Sequence, residues 1–136
     1  MTAAYWHNGN FFGVQIVYAP NARAWRHMMA TYAPADMADD PFPPHDAHCC
    51  TFPNRNDTQE QISIVTVDQP KARSMAMSQV VGMLAHEGMH VWRHIREKIR
   101  ETDPSAEFEA YAMQSITQFL VMVYLQAHKE PWAKTA

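Results

Sequence analysis

Between Arg73 and Arg100 the chain carries no proline, and apolar residues recur at Met77, Val80, Val81, Leu84, Met89, Val91, Trp92, Ile95 and Ile99. That spacing is close to the helical period, so the segment predicts one long amphipathic helix. A rod of this length fills one side of a small domain, and the remaining elements must be built against it. Glu101-Thr-Asp-Pro104 ends it. Asp103 as N-cap with Pro104 at the first helical position then predicts a second helix, running to about Ala127. Beyond Ile116 that helix is apolar on most sides, through Phe119–Leu125, which predicts deep burial or contact with another chain.

The part before Arg73 has a different texture. Phe11-Phe-Gly-Val-Gln-Ile-Val-Tyr18 is aromatic and β-branched and stops at Ala19-Pro20, which predicts a buried strand. Asn21 is a candidate N-cap for a short helix from Ala22 to Tyr32, with Trp25, Met28 and Met29 on one stripe. Five of the nine prolines fall between Ala33 and Pro53. Proline lacks the donor that a helix or central strand needs, so this stretch is expected to be mostly loop, with a short strand at His48–Phe52. Asn54-Arg-Asn-Asp-Thr58 is turn chemistry, and Gln61–Asp68 predicts another strand. The expected fold class is therefore α+β. A sheet of three or four strands packs on the long helix and the C-terminal helix, in a single domain over residues 1–136.

Charge and composition remove several functions. A net charge of -3 gives no clustered basic face, so no nucleic-acid partner is expected. The Phe119–Leu125 run is far shorter than the ~20 residues that span a bilayer, and the first residues lack a basic start and an apolar stretch. No membrane association and no signal peptide are expected. Cys49 and Cys50 are adjacent, which argues against a disulfide framework and for a reducing cytoplasm.

His86-Glu-Gly-Met-His90 fits His-Glu-x-x-His. On a helix, positions i and i+4 lie about 40° apart and ~6 Å along the axis, so both imidazoles can reach one zinc ion. Glu87 points about 100° away from His86 and cannot easily bind the same ion. It can reach a water at that ion and act as general base, as in metalloproteases with this motif. At the frequencies of this chain, about 0.02 matches are expected by chance, and the pattern sits inside a predicted helix.

A catalytic zinc takes three protein ligands and leaves one position open. His94 continues the series, but it lies ~12 Å along the axis from His86 and is expected to be exposed or to support the site from outside. The metzincin pattern is excluded, because Arg93 and Arg96 stand where its Gly and third His belong. An acidic residue of the following helix remains, either Glu107 or Glu109. His45-Asp-Ala-His48-Cys49-Cys50 has ligand-type side chains but no second pair, and reads as loop histidines and half-buried thiols. The ten methionines read as core filler.

His86-Glu-x-x-His90 followed by a helix bearing Glu107-x-x-Ala110 resembles the gluzincin metallopeptidases, above all the single-domain minigluzincins. The resemblance implies a zincin-like domain with an active-site helix and a glutamate helix. It implies zinc held by His86, His90 and Glu107, with Glu109 as the alternative. Tyr111 stands where that family has an acidic or amide residue. Tyr111 and His94 are candidates for steadying an oxyanion. Val81–Trp92 together with Pro104–Gln114 is also similar to small proteins encoded by phages and prophages, which implies a host-cytoplasmic setting. The expected function is zinc-dependent hydrolysis of peptide or protein substrates. The alternative is an inactive zincin-fold phage assembly or interaction protein, with Phe119–Leu125 serving a homo-oligomer or a phage partner. The strand Ile62–Val67 is the expected edge for an extended peptide.

Overall fold

A computed structural model describes residues 3–7 and 12–128. The elements are β1 (Tyr5–Trp6), β2 (Val14–Ala19), α1 (Ala22–Tyr32), β3 (Ala47–Asn54), β4 (Asp57–Val67), α2 (Gln69–Ala72), α3 (Met77–Ile99) and α4 (Ala106–Ala127). The fold is α+β, with a four-stranded mixed sheet in the order β1-β2-β4-β3. β2 and β4 are parallel, while β1 and β3 run antiparallel to their neighbours.

Both faces of this sheet are covered. Val14, Ile16, Tyr18, Val65 and Val67 pack with Leu84, Val91, Trp92, Ile116 and Leu120 of α3 and α4. Val17, Ala19, Ile62 and Ile64 turn the other way, onto Trp25, Met28 and Met29 of α1. Two covered faces leave no polar side to alternate with, which is why β2 and the end of β4 read as nearly continuous apolar runs. The side chain of Asn21 caps α1 by accepting from the Ala24 N–H at 2.9 Å. At the start of α4 the cap is Ser105 and not Asp103. Its hydroxyl accepts from the Phe108 N–H at 3.1 Å, with Pro104 left outside the helix. α3 starts at Met77, later than the periodicity suggests, because Asp68 caps a separate short helix, α2. No helix among the described residues is long and apolar enough to cross a membrane.

β3 is longer than its composition predicts, and it contains Pro53. The Asp68 N–H donates to the Asp46 carbonyl at 2.7 Å, in register with the Ala47↔Val67 and His48↔Thr66 pairs. Antiparallel pairing alternates, so His48, Cys50 and Phe52 direct their backbone groups at β4. Ala47, Cys49, Thr51 and Pro53 direct theirs outward. Proline is tolerated there because an outward N–H at an edge has no ladder partner to lose. The strand Ile62–Val67 is not an edge, since β2 and β3 occupy both of its sides. The free edge is β3.

At the far end of the core, the Tyr18 hydroxyl and His128 Nε2 are hydrogen-bonded at 2.7 Å, with the Tyr124 ring 4.7 Å from the imidazole. Burial, and then the charge of Arg73, push the His128 imidazole down to about 4. The unfolded chain therefore takes up this proton near pH 6.5, before the folded one does. Stability from this group is complete above pH 6.5, falls as the pH drops towards 4, and levels off below. Because His128 is only half-buried, the expected loss is about 1–2 kcal/mol. Urea titrations of wild type and His128→Gln across that window check it, since the variant lacks this contribution to the slope.

Candidate metal and catalytic site on helix α3

The helical spacing of the motif delivers the expected pairing. The His86 and His90 rings lie 5.1 Å apart in an edge-on arrangement, and both residues are exposed. Glu87, one position along, turns inward and is only 7% exposed. Its Oε2 lies 3.9 Å from His86 Nε2. Among the described residues no hydrogen bond reaches this carboxylate. A buried carboxylate normally carries several partners, because removing it from water is costly. Among the described residues the buried side-chain nitrogens and oxygens without a partner are Trp25 Nε1 and Gln69 Nε2, so the Glu87 oxygens keep access to water.

The neighbouring turns fix α3 in place. Gly88 faces α4, where an added Cβ would stand 3.2 Å from Ile116 Cγ2. The bare backbone lets the helices approach closely. One turn on, the Trp92 Nε1–H donates to Glu109 Oε2 at 2.8 Å, and Arg96 Nη1 donates to the same oxygen at 3.5 Å. These contacts set the register of the antiparallel pair. Gly88 lies opposite Met113, Ile116 and Leu120, while Trp92 and Arg96 lie opposite Glu109.

That register separates the expected acidic ligands from the histidines. α3 continues from His90 to Ile99 before the chain turns, so the start of α4 returns beside the end of α3. Trp92, the partner of Glu109, already lies about 9 Å along the axis from His86. Glu109 is engaged by Trp92 and Arg96, and Glu107 is exposed in the first turn of α4. Among the described residues no three His, Cys, Asp or Glu side chains converge to hold a metal ion. Neither glutamate is therefore gathered with His86 and His90. Tyr111 is 66% exposed, and His94 is half-buried one turn past His90.

β3 is the other wall. Ala47 and Cys49 pack into the core that holds Leu84 and Val91 of α3. Burial pushes the Cys49 thiol up to about 12, with Thr51 opposing and the Glu87 carboxylate adding to the rise. The thiol stays protonated and is no nucleophile. The sequence signal for this wall was Pro53, whose presence inside a strand marks an edge.

The donor set suits zinc in kind: two imidazoles on one helix face, with a deprotonatable group beneath them. Comparison with protein-family models, with curated proteins and with solved structures gives no match to this chain.

Proposed function

We propose that this protein is a zinc-dependent hydrolase of peptide bonds, similar in plan to the gluzincins. The observation that supports this is Glu87, a buried carboxylate without a hydrogen bond beside a pair of imidazoles on one helix face. His86 and His90 hold the metal. Zinc, when bound, polarises a carbonyl and acidifies water. Glu87 accepts a proton from the attacking water and delivers it to the departing amine.

An extended peptide fits the free edge of β3, where the outward N–H and C=O groups of Ala47, Cys49 and Thr51 offer strand-like pairing. The side chains of Ala47 and Cys49 face α3, so a chain added there runs past the motif helix.

A second reading is an interaction protein that keeps the zincin-like plan without turnover, including the phage setting that the resemblance implies. It is favoured by a groove of about 910 Å³ along α4 and by the absence, among the described residues, of a third ligand beside His86 and His90. Tyr5, Trp6, Phe119 and Met122 line this groove, and Met122 is 43% exposed.

Elemental analysis together with an unstructured-peptide cleavage assay decides between them. The first reading expects one zinc per chain, lost in His86→Ala and His90→Ala, and chelator-sensitive cleavage. Zinc without cleavage leaves the second reading. A protein that binds no zinc sinks the metal in both.

A further inference from the structure

One outer face of the molecule carries no charge. From Ala110 to Ala127, α4 holds no Asp, Glu, Lys, Arg or His. Its inner side is committed to the core, where Ala112, Ile116, Phe119, Leu120, Val123 and Tyr124 are buried. Its outer side is a stripe at helical spacing, Tyr111, Gln114, Gln118, Met122 and Gln126, and each of these is exposed. A helix face left to water usually carries charges, as α3 does with exposed Arg93 and Glu97. Beside the stripe, α4 and β1 enclose the groove of about 910 Å³, walled by Trp6, Phe119 and Met122. An apolar hollow rimmed by polar groups is the form of an interaction site.

The chemistry of the stripe selects its occupant. A helix that lies on a membrane surface carries Lys or Arg on its polar face, and α4 has none there. An acidic or a basic partner finds no opposite charge to pair with. The polar groups present are carboxamides and a phenol hydroxyl, and each of these both donates and accepts. Such a surface is complementary to itself, whereas charged groups of one sign repel their own copies. We propose that this stripe and the groove beside it form the interface of a homodimer, occupied by α4 of a second copy. A two-fold interface sets the same patch on both sides. Gln118 lies at the middle of the stripe from Tyr111 to Gln126, so the axis passes beside it and brings the two Gln118 amides together. Met122 of each copy then meets the groove of the other, against Trp6 and Phe119. The flexible thioether side chain suits an irregular apolar gap of this kind.

The proposal goes beyond the metal reading and does not depend on it. No residue of α3 lines the groove, so His86 and His90 stay open to solvent in the dimer. β1 and β3 are opposite edges of the sheet, so pairing beside β1 leaves the β3 edge free for a peptide. With a second copy seated there, the groove no longer calls for a foreign partner.

Sedimentation equilibrium of the full chain, with protein up to about 100 μM, tests this. Wild type is expected to reach twice the chain mass. Gln118→Glu and Gln118→Lys each set like charges against each other at the axis, and each is expected to weaken self-association by roughly 100-fold or more. An equimolar mixture of the two variants is expected to recover dimers, because a Glu then faces a Lys across the axis. Gln118 is exposed, and recovery on mixing is a result that a folding defect does not produce. Wild type that stays monomeric throughout overturns the proposal. A dimer indifferent to both Gln118 variants also overturns it and moves the interface elsewhere. Loss in both variants without recovery in the mixture overturns the symmetric pairing. The same masses are expected with chelator present, so failure here leaves the metal reading standing, and a protein that binds no zinc leaves the dimer standing.

Discussion

Glu87→Gln is expected to retain zinc and to lower peptide hydrolysis by about 10²- to 10⁴-fold, the range of a general acid–base contribution. The amide keeps the shape of the side chain but cannot take a proton from water. Glu87 turns inward while His86 and His90 stand exposed, so the zinc content should hold. Steady-state cleavage rates and zinc content on the same preparations give both numbers. A variant as active as wild type removes Glu87 from the mechanism.

Trp92→Ala is expected to cost about 3–5 kcal/mol, the range for deleting a buried large aromatic side chain. That is a large share of the ~5–15 kcal/mol available to a domain of this kind. Trp92 is fully buried in the core between the sheet and α3–α4, and its ring meets Phe108 edge-on at 5.6 Å. It also donates to Glu109, so its loss leaves that carboxylate to Arg96 alone. Trp92→Phe separates the two contributions. It keeps most of the apolar burial and removes the donor, so its cost should be nearer 1–2 kcal/mol. Urea midpoints at constant m-value measure both. Near-equal costs for the two variants would mean that the hydrogen bond outweighs the packing.

Much of this fold was legible from short-range pattern. α1 spans the predicted Ala22–Tyr32 and has the predicted cap, because both depend on residues within a few positions of each other. α3 and α4 follow from periodicity for the same reason. What escaped depends on partners distant in sequence. β1 is two residues long and exists through its pairing with β2. β3 extends beyond its own propensity because β4 templates it, and its place at the edge is a property of the whole sheet. The candidate site divides in the same way. The His86, Glu87 and His90 arrangement is helical geometry and was readable. Whether Glu107 or Glu109 reaches that pair turns on how much of the intervening chain α3 consumes. The packing of Trp92, Arg96 and Gly88 against α4 decides it, and spacing alone does not express that.

The parallel pairing of β2 with β4 bears on how this molecule assembles in time. β3 and β4 form a hairpin around Arg55-Asn56, and α3 and α4 form another around the turn at Arg100. Each joins segments adjacent in sequence, and such units form on the microsecond scale. Val14 must instead find Gln61 across the whole of α1 and β3, a closure with a larger entropic cost. The two hairpins should form early and the β2–β4 pairing late. The β3 edge belongs to one early unit and His86, Glu87 and His90 to the other. The motif and the strand edge therefore come together only when the two hairpins dock.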